Sequence, residues 1–328
     1  MKRTILVVGG AGYIGSHMVK CLEQAGYFPL VLDNLSQGHR EAITQGRLIV
    51  ADMGDSCALD VLFQSYDISA VMHFASFIQV GESVMLPGKY YENNVGNTVR
   101  LLEAMVRHGV VNFIFSSTAA IFGDPDYVPI DEKHPKRPIN PYGRSKLMVE
   151  QILDDFTQAH GLKAVCLRYF NAAGADPEGQ LGECHDPETH LIPLVLQAAS
   201  GRRETITVFG RDYDTPDGTC IRDYIHVQDL CDIHLLALES LLSGGSGGHY
   251  NLGNGNGYSV AEVIAAAERV TGKRIAQTEG ARRAGDPPRL VADSRLAQTV
   301  FGWTPHLADL DTIIRHAWQW EQKRFCRK

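Results

Sequence analysis

The stretch TILVVGGAGYIG, residues 4–15, decides the fold. Its first five residues are apolar and β-prone without polar alternation, the texture of a strand buried on both faces. Gly9, Gly12 and Gly15 follow with the spacing G-x-x-G-x-x-G, and the periodic run Ile14–Ala25 reads as a helix. A chain that turns sharply from strand to helix, with backbone approaching a pyrophosphate, leaves no room for side chains at Gly9 and Gly12. Gly15 lets the helix pack closely on the sheet. The helix N-terminus then offers unpaired N–H groups and a partial positive charge to phosphate. Such glycines mean little alone, but a strand before them and a helix after them point to a dinucleotide site. Asp33 ends the next apolar run, close to the roughly 20-residue interval at which an acid holds an adenosine ribose hydroxyl. A carboxylate there repels a 2′-phosphate, so NAD is expected rather than NADP. The plainer reading of Asp33-Asn34, a loop cap, loses ground beside the glycines. Asp52, after the third run, is a weaker candidate for contacting the adenine.

Outward from this stretch the pattern repeats. Apolar runs Leu30–Leu32, Leu48–Val50, Ala70–Phe74, Asn112–Phe115 and Ala164–Leu167 alternate with helical segments such as Tyr90–Arg107 and Tyr142–His160. Strands separated by helical crossovers imply an α/β fold, a Rossmann-type doubly wound parallel sheet with helices on both faces. That unit is expected over residues 1–175. The turn-rich, acidic stretch Ala175–Thr189 marks a crossing into a smaller mixed α/β unit, residues 176–328, with a segment near 221–255 returning to the first. Ser243–Gly248 (SGGSGG) reads as a flexible surface loop before a short strand, Tyr250–Leu252. Ser259 and Glu262 form a capping box that opens a helix, Ser259–Thr271.

Composition narrows the function classes. The chain has 328 residues, 44% of them hydrophobic, which suits a globular protein of two domains. A net charge of −7 without a basic block argues against nucleic acid and anionic membrane surfaces as partners. Any phosphate must therefore be bound by local geometry. Seven scattered cysteines, odd in number and without a C-x-x-C pair, read as reduced structural thiols in a cytoplasmic protein. MKRTILVVGG is too short in apolar residues for a signal peptide, and no run reaches the length of a membrane span. Lone histidines such as His73 and His226 read as structural, and no metal-ligand spacing stands out, so no metal is expected.

The chemistry-bearing residues lie further along. In Pro141-Tyr142-Gly143-Arg144-Ser145-Lys146, Tyr142 and Lys146 are four apart, hence on one face of a helix that Pro141 suits as its first residue. A free phenol ionises with a pKa of about 10, and lowering it by about three units takes on the order of 4 kcal/mol. A neighbouring ammonium and a cationic nicotinamide ring can supply that. The end of the fifth run, Ser116-Ser117-Thr118-Ala119-Ala120, offers hydroxyls at the carboxyl edge of the sheet, where ligands bind. Thr118 is the best placed and Ser117 the alternative, with Ser116 and Ser117 otherwise satisfying turn backbone.

The glycine loop, SSTAA and Tyr142-x-x-x-Lys146 together resemble the extended short-chain dehydrogenase/reductases. GGAGYIGSH, LDNLS, YYENN, SSTAAIFG, NPYGRSK, LRYFNAAGA, DGTCIRDYIHV and YNLGNG sharpen the resemblance to the UDP-sugar 4-epimerases of that family, over essentially the whole chain. The resemblance implies interconversion of UDP-glucose and UDP-galactose by transient oxidation at C4 with tightly bound NAD. Acceptance of UDP-N-acetylglucosamine and UDP-N-acetylgalactosamine is a further expectation, argued below from Leu290. It implies catalytic roles for Thr118, Tyr142 and Lys146. Cofactor contacts are implied at Tyr13, Ile14, Asn34, Met53, Phe74, Ala75, Asn93, Tyr142, Lys146 and Tyr169 beside the glycines, Asp33 and Asp52.

For the UDP-sugar it implies Arg222 and Arg283 on the diphosphate, with Asn171 near the same region. Asp286 would take the uridine ribose and Phe209 the uracil, with His190 and Leu191 at the adjacent turn. A homodimer through the helices near 90–107 and 142–160 is implied as well. The related dehydratases carry an Asp-Glu pair where this chain has Ala119-Ala120, so elimination lacks its groups. Three positions depart from the common pattern: Ile78 for a Lys near the nicotinamide, Phe122 for a Tyr, and Leu290 for a Tyr that closes the sugar pocket. The smaller Leu290 implies that an N-acetylated sugar fits. The competing expectations are a 4-epimerase of pentose or uronic acid substrates, and an NAD-binding sensor without catalysis.

Overall fold

A computed structural model describes residues 2–283 and 286–325 of the chain; Cys326, read above as a reduced thiol, lies outside them. Strand Thr4–Val8 (β1) turns into helix Tyr13–Gln24 (α1), followed by Phe28–Asp33 (β2), Arg47–Val50 (β3), Ser56–Ser65 (α2) and Ile68–His73 (β4). Two short helices, Val80–Met85 (α3) and Pro87–Tyr90 (α4), lead through a π-helical turn, Tyr91–Gly96, into Asn97–Arg107 (α5). Asn112–Thr118 (β5), Pro141–His160 (α6) and Lys163–Tyr169 (β6) complete the first half. The second half contains Asn171–Ala173 (β7), Leu191–Ser200 (α7), Ile206–Phe209 (β8), Ile221–Arg222 (β9), Tyr224–His226 (β10) and Val227–Leu242 (α8). It continues with Gly248–Leu252 (β11), Tyr258–Ser259 (β12), Val260–Thr271 (α9), Gln277–Gly280 (β13), Arg289–Leu290 (β14), Arg295–Phe301 (α10) and Leu310–Phe325 (α11).

Seven parallel strands form the main sheet in the order β11-β6-β5-β4-β1-β2-β3. The unbroken apolar character of β1 has a direct cause. Ile5 and Val7 face a core shared with α1 and α8, while Leu6 and Val8 face the opposite core under α2, α5 and α6. The order of connection reverses between β1 and β4, which opens a crevice at the carboxyl ends of the strands. A third core, built from Ile192, Val195, Val263, Ile264, Ile313 and Ile314, joins α7, α9 and α11 in the smaller unit. The expected capping box is present: Ser259 Oγ accepts from Glu262 N, and Glu262 Oε2 accepts from Ser259 N. No described helix is long and apolar enough to cross a membrane.

Three local readings differ from the structure. The helix expected over Tyr90–Arg107 is interrupted, because the π turn rotates Asn94 inward, where its amide bonds the backbone of Phe77 and the hydroxyl of Ser145. The SGGSGG loop is shorter than read, since Gly248 already belongs to β11, and β11 lies against β6 in the main sheet. Gly247 is bare for packing: a Cβ there would stand 2.1 Å from the carbonyl oxygen of Ala164. Strand β5 runs on to Thr118, so Ser116 and Ser117 are strand residues rather than turn residues.

Candidate active site

The glycine loop is shaped by sterics. Gly9 has φ +78°, and a Cβ on it would lie 2.5 Å from Ala75 N. A Cβ on Gly15 would lie 2.2 Å from Gly9 O, so Gly15 is bare for the loop beneath it more than for the sheet. Gly12 is different: its Cβ would meet nothing closer than 3.5 Å. Its bareness serves the space in front of α1, whose first amides, at Tyr13, Ile14 and Gly15, have no intrahelical partner. Gly12 N-caps α1 with extended backbone and no side-chain cap. The Tyr13 hydroxyl donates to Gly174 O at 2.7 Å, tying the loop to the exit of β7.

Asp33 is buried and engaged on both oxygens, accepting from Ala11 N at 2.9 Å and Leu35 N at 2.8 Å. It orders the loop through Ala11 while keeping lone pairs for a ribose. Asn34 Nδ2 donates to Asp52 Oδ2 at 2.7 Å, so the ends of β2 and β3 are linked beside buried Met53. Phe74 leaves β4 with its ring 5.2 Å from that of His234, and Ala75 backs Gly9. Asn93 lies in the π turn and donates to Asn94 Oδ1 at 3.0 Å. Uncovered helix amides, a bare Gly12 and an acid at the end of β2 fit a dinucleotide.

The catalytic candidates meet at the carboxyl end of β5. Asn140 caps α6 through Gly143 N at 2.8 Å, with Pro141 as the first helical residue. Lys146 is buried, and its Nζ donates to Ser76 Oγ at 2.8 Å and Ser116 O at 2.7 Å. The phenol of Tyr142 lies next to the Thr118 side chain, which favours its ionised form. Strand alternation separates the hydroxyls. Ser116 meets the Tyr169 hydroxyl, while Ser117 points the other way and donates to Glu150 Oε1 at 2.6 Å, inside the buried Glu150–Arg168 pair.

The surroundings of both groups work against charge. Burial pushes the Lys146 ammonium down to about 7, with Glu150 only partly opposing. Burial also raises Tyr142 above its ordinary value, and the neighbouring Thr118 lowers it by less. The Lys146–Tyr142 pair by itself therefore does not produce a phenolate. Lys146 is held in place by Ser76 and Ser116.

The residues expected to hold a UDP-sugar fall into linked groups. Arg222 donates to Pro287 O at 2.9 Å and pairs with Asp286. Asn171 Nδ2 donates to Asp223 O at 2.9 Å, next to Arg222 in sequence. Arg283 lies over the Phe209 ring, 4.1 Å from its centroid. Leu290 pairs in register with Arg222 and packs on Ala119, Ile121 and Phe122. Phe122 is wholly buried with its ring 5.5 Å from His134, so the hydroxyl it lacks would be a buried one. Ile78 is 37% exposed and presents an apolar side chain where a lysine was expected. His190 and Leu191 begin α7, with His190 Nδ1 engaged by Glu183. Sequence reading overlooked Ser76, which carries no local signal, and Asn94, whose polarity interrupts an apolar helical pattern. It also overlooked buried Asp223, which accepts from Asn254 N, Gly255 N and Ala292 N. A fourth omission is the group Glu183, His185, Glu188 and His190, legible as E-x-H-x-x-E-x-H within eight residues.

Residues 5–253 match the NAD dependent epimerase/dehydratase family. A UDP-glucose 4-epimerase of Halalkalibacterium halodurans is 51% identical over 319 residues, 97% of this chain and 96% of that one. The UDP-glucose 4-epimerase of Brucella ovis, solved in complex with NAD, superposes with a TM-score of 0.95 at 51% identity, covering 96% and 97% of the two chains. The UDP-glucose 4-epimerase of Bifidobacterium longum, solved with NAD+ and UDP, gives 0.93 at 38% identity, covering 98% of each. With this match and with its own glycine loop and Thr118–Tyr142–Lys146 arrangement, the chain belongs to the NAD dependent epimerase/dehydratase family.

Proposed function

We propose that the chain interconverts UDP-glucose and UDP-galactose by transient oxidation at C4 of the sugar, with NAD retained through the cycle. The observation that carries this reading is the meeting of Thr118 and Tyr142 at the carboxyl end of β5, with Lys146 anchored alongside by Ser76 and Ser116. Gly12, the α1 amides, Asp33, Asn34, Asp52 and Lys146 would hold the cofactor, aided by Met53, Phe74, Ala75, Asn93 and Tyr169. When bound, NAD supplies a reversible hydride acceptor whose ring is cationic before transfer. Tyr142, as the phenolate, takes the proton of the 4-hydroxyl on Oη, and Thr118 Oγ1 would position that oxygen. Tyr142 then returns the proton to the 4-oxygen on the opposite face of the sugar.

One fixed tyrosine must thus serve both faces of the hexose. The grip has to fall on the nucleotide, which leaves the sugar free to turn. Arg222 and Arg283 suit the diphosphate as forked donors. Asp286 would accept from the uridine ribose, Phe209 would stack near the uracil, and Asn171, His190 and Leu191 would line the same region. Ala119-Ala120 offer no acid–base pair, so water is not eliminated. Leu290, smaller than a tyrosine, would leave room for an acetamido group, so UDP-N-acetylglucosamine is part of this reading. The cofactor unit takes residues 1–175 with a returning segment near 221–255, and the rest closes over the nucleotide sugar. Exposed Met148 on α6 supports a homodimer through α5 and α6, which light scattering measures. Six free cysteines among the described residues suit the reducing cytoplasm.

A panel of UDP-sugars assayed on purified protein, with NAD measured after denaturation, tests this reading. Galactose–glucose interconversion without added NAD, and released NAD, are expected. Activity confined to pentose or uronic acid substrates, or none at all, overturns it. Turnover of the N-acetylated sugar is the separate check on Leu290.

A further inference from the structure

We propose that Glu183, His185, Glu188 and His190 form a binding site for a divalent metal ion of the zinc class, at the edge of the nucleotide-sugar region that His190 also borders and apart from the groups that move hydride or proton. One ligand atom from each lies within 4.8 Å of the others. His185 Nδ1 is 3.0 Å from Glu183 Oε1, and His190 Nδ1 meets the same oxygen. Glu188 approaches from the other side, its Oε2 4.0 Å from His185 Nδ1 and its Oε1 3.7 Å from His190 Nδ1. Four N/O ligands about 2.0–2.2 Å from a tetrahedral zinc stand about 3.3–3.6 Å apart, so these separations need only small adjustments. Two imidazoles and two carboxylates favour a borderline ion over calcium or magnesium, which prefer all-oxygen shells.

The two carboxylates of the site are buried, while the His185 and His190 side chains are 20% and 44% exposed. The side chains of Glu183 and Glu188 are only 6% exposed, with the imidazoles of His185 and His190 beside them. Leaving two such carboxylates together away from water is costly unless cations compensate. Their surroundings are fixed as those of metal ligands commonly are. Glu188 Oε1 accepts from Thr189 N at 2.7 Å and His190 N at 2.8 Å, which leaves Oε2 for an ion. Trp320 Nε1 donates to Glu183 O at 2.8 Å, and His39 bonds Cys184 O at 2.8 Å. The His185 ring stands edge-on to Tyr13 of the glycine loop, 6.5 Å between centroids. Four protein ligands close the coordination shell, which is the mark of a structural rather than a catalytic ion. Such an ion would clamp the crossing segment between the glycine loop and the start of α7.

The test uses the tag-free, full-length protein carrying its own NAD. After loading with zinc chloride and desalting, it is expected to retain about one zinc per chain by mass spectrometry. Its Tm should exceed that of the EDTA-treated protein by several degrees, and Co2+ should give the intense visible bands of tetrahedral coordination. His185→Gln and Glu188→Gln, the latter keeping the backbone cap, should lose the ion and the Tm response while retaining far-ultraviolet dichroism. Wild-type protein with no retained zinc, no Tm response and no cobalt spectrum overturns the proposal. Stoichiometric zinc that survives in the double variant overturns it equally, since the ion would then lie elsewhere.

Discussion

Tyr142 must ionise in a place that resists ionisation. Burial raises its phenol and Thr118 only partly offsets that, so ionising it calls for a positive charge beside it. Tyr142→Phe removes the proton carrier and little volume. Turnover should fall by at least about 100-fold, with bound NAD and Tm retained. Steady-state assay and NAD content decide it, and a fully active variant removes Tyr142 from the mechanism. Lys146 offers a pH signature. Its ordinary value is 10.5 and burial brings it to about 7, so between these values the unfolded chain binds a proton that the folded one does not. Stability from this group therefore rises with pH across that window. The difference in Tm between Lys146→Met and wild type should shift in favour of wild type from pH 7 to pH 10. A pH-independent difference would contradict a depressed Lys146.

At the scale of elements, the π turn at Tyr91–Gly96 does what an α-helix could not. It turns Asn94 inward, where its Oδ1 accepts from Phe77 N at 2.9 Å and its Nδ2 donates to Phe77 O at 3.0 Å. Together with the bond from Asn94 Nδ2 to Ser145 Oγ at 3.2 Å, they tie the stretch after β4 to the helix that carries Ser145 and Lys146. Asn94→Ala should cost about 1–3 kcal/mol, because it strands buried backbone groups of Phe77. Urea denaturation measures the loss, and an unchanged midpoint would refute the bracing role. The turn was not legible beforehand: π and α geometries share nearly the same apolar spacing, and only a partner distant in sequence selects between them. The strands were legible in kind though not in length. β5 extends to Thr118 because a strand end is decided by its neighbour β6, which pairs Thr118 with Tyr169.

Across the whole molecule, acid sensitivity is built into buried imidazoles. Burial lowers His17 and His234 to about 4 and His73 and His226 to about 3, from 6.5. Between pH 6.5 and 4 the unfolded chain binds protons that the folded chain refuses, so stability falls as pH falls through that window. The Tm of the intact protein should drop steeply from pH 6.5 to 4, and a flat profile there would contradict neutral buried histidines.

By itself, the sequence determined the parallel sheet, the glycine loop and the Tyr142–Lys146 pair, because these follow from short-range causes. Apolar periodicity, the sterics of a missing Cβ and i,i+4 spacing all act within about a dozen residues. The tertiary structure alone decided that Ser117 serves the Glu150–Arg168 pair while Thr118 serves Tyr142. It also decided that burial depresses the Lys146 ammonium and that Arg222 faces Asp286. Those outcomes depend on which face of a strand is covered and how much water is excluded around a charge. Packing between elements far apart in the chain settles both.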